Sequence, residues 1–161
     1  MARWRVGILT ASDKGSLGER EDKSGSLLKE LIPRIDGEVA AYYIVPDDQR
    51  TIEDHLISLS DELGCDLVLT TGGTGFSPRD ITPEATKAVI QREAPGLPER
   101  MRAATLANTK FAVLSRATAG IRGKTLIINF PGSTKGVKEC FEVIEDILPH
   151  ALQILTGNTE H

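Results

Sequence analysis

The chain has 161 residues, 40% of them hydrophobic and 26% charged, which suits one globular domain and is too short for two ordinary ones. A formal net charge of -4 decides little by itself, and no cluster of lysine and arginine is long enough to suggest a nucleic-acid or membrane-surface binder. The segment Met1–Arg5 leads into an apolar run too short to span a bilayer and lacking a signal-peptide cleavage pattern, so a cytoplasmic protein is expected.

In chain order, Val6 to Ala11 is an apolar run closed by Ser12-Asp13, as expected of a strand buried on both faces. Lys14 to Lys23 is charged, holds two glycines and reads as a loop. Leu27, Leu28, Leu31 and Ile32 recur at helical spacing, with Ser24 as the expected N-cap and Pro33 near the end. Val39 to Val45 is a second strand, stopped by Pro46-Asp47-Asp48. Thr51 with Asp54 resembles a capping box ahead of the apolar face Ile52, Leu56, Leu59 and Leu63. Leu67-Val68-Leu69 is a buried strand that runs straight into Thr70-Thr71-Gly72-Gly73-Thr74-Gly75.

Thr82-Pro83-Glu84 starts the next helix, with a capping hydroxyl, a proline at the first position and an acid in the first turn. Pro95-Gly96 breaks it, and Pro98 begins another helix through about Ala107. Ser115 to Gly123 reads as irregular. Leu126-Ile127-Ile128 is a further strand, followed by Pro131-Gly132-Ser133. The last helix sets Val137, Phe141, Ile144, Leu148, Leu152 and Leu155 on one face, with a bend expected at Pro149.

Strands alternating with helices imply a three-layer α/β/α domain with a mostly parallel sheet, spanning 1–161 as one unit. Ligands of such sheets bind beyond the carboxyl ends of the strands, where the loops starting at Ser12, Pro46, Thr70 and Asn129 would gather. Cys65 and Cys140 have no second thiol at metal or redox spacing and read as small buried apolar residues. His55, His150 and His161 form no ligand cluster, so zinc is not expected, and metal chemistry would fall to carboxylates and hard cations.

The glycines of the Thr70–Gly75 loop leave backbone N–H groups free to curl around an anion, although the loop has neither the Walker nor the Rossmann spacing and is also compatible with a plain tight turn. Asp80 lies close by in sequence, and Asp47 follows a different strand. Two carboxylates beside a phosphate loop suit Mg²⁺, while a helix-flanking acid and a Pro-Asp turn are their simpler readings. Ser133 and Lys135, at the loop from Asn129 into the last helix, suit a second anion or an ordinary N-cap. Arg116 offers a bidentate phosphate contact or a surface charge.

Leu69-Thr70-Thr71-Gly72-Gly73-Thr74-Gly75 followed by Arg79-Asp80-Ile81-Thr82-Pro83-Glu84-Ala85-Thr86 resembles the molybdopterin adenylyltransferase (MogA/MoaB) family, a fold found also within gephyrin and the plant cofactor-insertion proteins. Ser12-Asp13, Pro46-Asp47-Asp48, Leu114-Ser115-Arg116 and Asn129 with Pro131-Gly132-Ser133 extend the likeness over nearly the whole chain, in order. The resemblance implies transfer of AMP from MgATP to the terminal phosphate of molybdopterin. Asp47 and Asp80 would be the essential acids organising Mg²⁺. The Gly72, Gly73, Thr74 and Gly75 loop would hold nucleotide phosphates, and Thr71, Ser12 and Asp13 would be among the binding residues. Asn129, Pro131, Gly132 and Ser133 would contact the pterin or its phosphate, with Ser115 and Arg116 nearby. Thr105 and Thr134 stand where relatives often carry serine and proline. The resemblance also implies a homotrimer and hand-over of product to a molybdenum insertion enzyme. The alternative is a non-catalytic pterin carrier or scaffold of the same fold.

Overall fold

A computed structural model describes residues 3–157, so Met1, Ala2 and His161 lie outside it. The apolar runs become the middle of a six-stranded sheet: β1 (Trp4–Ala11), β2 (Gly37–Val45), β3 (Leu67–Thr71), β4 (Arg92–Glu93), β5 (Ala119–Arg122) and β6 (Thr125–Phe130). Their order is β2-β1-β3-β6-β5-β4, with the first four parallel and the last two added antiparallel. Along β1, Val6 and Ile8 enter one core while Leu9 and Ala11 enter the other, as a strand covered on both faces requires. β3 divides Leu67 and Leu69 from Val68 in the same way, and β6 divides Leu126, Ile128 and Phe130 from Ile127.

The helices are α1 (Asp13–Ser16), α2 (Lys23–Leu31), α3 (Gln49–Ile57), α4 (Thr82–Val89), α5 (Gly96–Thr105), α6 (Thr134–Ile144) and α7 (Leu148–Leu155). α2, α5, α6 and α7 cover one face through Leu28, Leu31, Met101, Phe141 and Leu152; α3 and α4 cover the other through Ile52, Leu56, Ala85 and Val89. The expected three-layer α/β/α architecture is therefore present. Both cysteines are free and buried, and no described helix is long and apolar enough to cross a membrane.

Several local expectations are corrected. The stretch from Lys14 begins with the short α1, capped by Ser12 through the Gly15 N–H. α2 is capped by Asp22, which accepts from the Gly25 N–H, and not by Ser24, which is buried and donates to the Gly132 carbonyl. α3 is capped by Asp48, whose carboxylate takes both the N–H and the hydroxyl of Thr51, so the Thr51–Asp54 box does not form. Thr82 is the first residue of α4, behind an Ile81 cap position that makes no side-chain bond. That helix stops at Val89, and β4 intervenes before Pro95. The stretch taken as irregular contains β5, whose pairing with β6 runs from Ala119↔Ile128 to Arg122↔Thr125. At Pro149 there is a break between two helices: it sits in the first turn of α7, where its missing N–H has no partner to lose.

The chain moves from β1 outward to β2, then crosses back over β1 to β3. Connections leaving the carboxyl ends of β1 and β3 therefore diverge, and a crevice opens between Ser12 and Gly72.

Candidate active site

That crevice is a cleft of about 860 Å³, walled by Ser12 after β1, Asp47 after β2, Gly72, Gly73 and Asp80 after β3, and Gly132 and Ser133 after β6. Two glycines shape its floor. Gly72 and Gly73 adopt φ of 94° and 67°, a region that side chains other than glycine's rarely tolerate. A Cβ on Gly72 would fall 2.4 Å from the Ala11 carbonyl oxygen. On Gly73 it would meet Thr82 Oγ1 at 2.4 Å and lie 3.3 Å from Asp47 Oδ1. The loop is anchored by the Gly72 N–H to Phe130 O, the Thr82 N–H to Gly73 O and the Arg116 N–H to the carbonyl of the buried Thr74. Gly75 keeps the chain close to Asp80, since a Cβ there would sit 2.9 Å from Asp80 Oδ2.

The acids are positioned by each other's backbones. Asp47 accepts the Asp13 N–H at 3.2 Å, and Asp13 accepts the Asp47 N–H at 3.0 Å. Arg79 grips Asp13 through Nε at 2.7 Å and Nη2 at 3.0 Å, and reaches the Asp47 carbonyl at 3.1 Å. That guanidinium holds the Asp13 carboxyl below its usual range. Asp47 is pushed the other way, first by burial and then by the charges of Asp13 and Asp80, against the opposing pull of the Asp13 N–H and Arg79. Asp80 is fixed by a tight turn: its N–H donates to Ser77 O, and its Oδ2 takes the Ser77 N–H at 3.0 Å. Two buried oxygens beside Gly73, Asp47 Oδ1 and Thr82 Oγ1, have no hydrogen-bond partner. Buried polar atoms rarely go unpaired, and a hard cation or its water suits such a spot.

Asp47 and Asp80 thus meet on one cleft with the glycine loop, as does Ser133. Ser133 caps α6 by accepting the Gly136 N–H at 3.0 Å. Thr71 Oγ1 donates to Pro131 O at 2.6 Å and Ser24 Oγ to Gly132 O at 2.7 Å, so the loop after β6 is pinned from below. Other expected residues stand elsewhere. Asn129 is fully buried, donating to Thr70 and Thr86 hydroxyls and accepting the Thr118 N–H; it ties β6 to β3 and α4 instead of facing the cleft. Arg116 forks onto Glu84 at 2.7 and 3.1 Å and holds the carbonyls of Gly75 and Asp80, so its guanidinium clamps the glycine loop. Ser115 and Thr105, with Pro131 and Ser133, line a separate cavity of about 200 Å³ on the other side of the Pro131–Ser133 turn. The Thr105 hydroxyl donates to Met101 O at 2.7 Å, within its own helix.

Sequence reasoning missed another part of the cleft wall. Asp22 lines the cleft and accepts the hydroxyls of Thr10 (2.7 Å) and Tyr42. Burial, reinforced by Asp22, raises the Tyr42 phenol well above its ordinary pKa. The only available signal was Asp22 standing three residues before Gly25, a capping distance. Its partners are 12 and 20 residues away.

A doubly wound sheet with an acid-lined, glycine-floored cleft at its switch point defines an α/β protein with a ligand cleft where such sheets bind their ligands. Residues 7–150 match the model of the probable molybdopterin binding domain, and the chain belongs to that family. A molybdopterin adenylyltransferase from Helicobacter pylori is 46% identical over 155 residues, covering 95% of this chain and 88% of its own. The molybdopterin biosynthesis enzyme MoaB of Thermus thermophilus superposes with a TM-score of 0.90 at 52% identity, over 96% of this chain and 97% of that one. The tungsten cofactor synthesizing protein MoaB from Pyrococcus furiosus gives 0.84 at 40%, over 96% and 98%.

Proposed function

We propose that this chain is a molybdopterin adenylyltransferase: it joins AMP from ATP to the terminal phosphate of molybdopterin and releases pyrophosphate. The observation that carries this reading is the buried, unpartnered Asp47 oxygen beside the glycine loop, on a cleft of about 860 Å³ that Asp80 also lines. The Helicobacter relative supports it by name and near-full coverage. A phosphate oxygen of the pterin forms a bond to the α-phosphorus as the bond from that phosphorus to the β-bridging oxygen breaks. Such transfer needs alignment and charge neutralisation more than a protein nucleophile.

Asp47, Asp80 and the Thr82 hydroxyl fit Mg²⁺. Among the described residues no three or more His, Cys, Asp or Glu side chains form a metal cage, so the ion would share its ligands with phosphate and water, as Mg²⁺ commonly does. When bound, it would supply positive charge to the reacting phosphates. The chain itself presents the Gly72 and Gly73 backbone to the nucleotide, and holds Asp80 in place through the Ser77 turn. The 200 Å³ cavity at Ser115 and Thr105 suits the pterin, and Ser133 at the shared turn suits its phosphate. We further propose a cytoplasmic homotrimer, supported by the exposed apolar Leu106, Phe111, Val113 and Leu114, and hand-over of product to a molybdenum insertion enzyme.

The test is AMP transfer from MgATP to molybdopterin, with adenylylated pterin and pyrophosphate both quantified. The native chain is expected to form both products, and Asp47→Asn or Asp80→Asn to lose at least about a hundredfold in rate, typical of removing one charged group from a transition state. Tight pterin binding without product would instead mark a carrier of the same fold.

A further inference from the structure

Two anionic reactants have to share this cleft, yet most nearby cations are already engaged. Arg116 is committed to Glu84 and two carbonyls, and Arg79 to Asp13 and the Asp47 carbonyl. Among the described residues two cationic side chains line the cleft, Arg20 and Lys23. Both are exposed, and neither makes a side-chain hydrogen bond or ion pair with any described residue. They flank Glu21, which lines the same wall, and Asp22, whose carboxylate is occupied by Thr10, Tyr42 and the Gly25 N–H. Lys23 also opens α2, a nine-residue helix whose positive end adds to the same field.

We infer that Arg20 and Lys23 form the subsite for the pyrophosphate end of the nucleotide, the β and γ phosphates that leave. The inference rests on the AMP-transfer reading. In that reading the α-phosphate lies with the glycine loop and the Mg²⁺ that Asp47 and Asp80 would hold, and because the two acids already offset that ion's charge, little is left to balance the rest of the triphosphate. The remaining charge is best met on the wall that offers free cations. Their exposure suits a group that must depart, because solvent-screened contacts hold weakly and release quickly.

The experiment is calorimetric titration of the full chain and of Arg20→Gln, Lys23→Gln, the double variant and Glu21→Gln, using magnesium pyrophosphate, MgATP and AMP as probes. Each cation substitution should weaken pyrophosphate and ATP about two- to fivefold, with the double variant near tenfold. The loss should shrink with added salt, AMP affinity should hold, and Glu21→Gln should tighten pyrophosphate. AMP weakened as much as ATP, or pyrophosphate binding unaltered in the double variant, overturns the subsite. If the native chain binds MgATP and the variants match it, the subsite alone fails; if it binds neither nucleotide nor pyrophosphate, the AMP-transfer reading fails with it.

Discussion

Asp47 concentrates the conflict between folding and chemistry in one side chain. Burial raises its carboxyl pKa, so its charged form is less favourable in the folded chain than in the unfolded one. For a carboxylate shifted upward, that cost is fully present above the folded pKa and disappears as pH falls through it to below the unfolded value. Asp47→Asn is therefore expected to melt at a higher temperature than the native chain at neutral pH, with the difference closing in acid. The same variant should be inactive in AMP transfer. Thermal melts across pH check this, and a variant destabilised at neutral pH would contradict the assigned cost. Asp13 runs in the opposite sense: held down by Arg79, it loses its contribution as pH falls.

The glycine loop is held at the level of elements by a residue far from it in sequence. Arg116 joins the strand-leading stretch before β5 to Glu84 of α4 and to the carbonyls of Gly75 and Asp80. Arg116→Ala is expected to lower stability by about 1–3 kcal/mol, since several charge-assisted bonds go at once. Arg116→Lys should recover only part of this, because an ammonium cannot reproduce the fork. Denaturant unfolding of the three proteins decides it, and equal midpoints would remove the clamp. This clamp marks where the sequence stopped being informative. The loop itself was legible because Leu67-Val68-Leu69 is uninterrupted and glycines follow it. Arg116 reads in the sequence as a phosphate contact or a surface charge and not as a clamp, since Glu84 is 32 residues away. β4 and β5 were hidden for a related reason: two and four residues carry too little periodicity, and their pairing is non-local. At the helix starts the right residue types were present, but Asp22 and Asp48 took the caps expected of Ser24 and Thr51, and local spacing cannot rank neighbouring oxygens.

For the whole molecule, the strand–helix alternation determined the layers, and the parallel order brought the acid and glycine loops to one edge. Assembly is a separate matter. Phe111 and Val113 are 64% and 60% exposed on the short helical turn after α5, a surface that subunit contact would bury. Sedimentation equilibrium should return three times the 17.4 kDa chain mass, and Val113→Glu should shift it toward one. A native chain sedimenting as a single copy would remove the trimer.

The parallel sheet also gives the molecule two very different ends. β1 begins at Trp4 and delivers Ser12 to the cleft only after eight strand residues, a run of about 26 Å. A dye, surface tether or fusion partner joined ahead of Trp4 would therefore be attached a full strand's length from the cleft. The enzyme can be immobilised or labelled at that end while its cleft stays open to ligand.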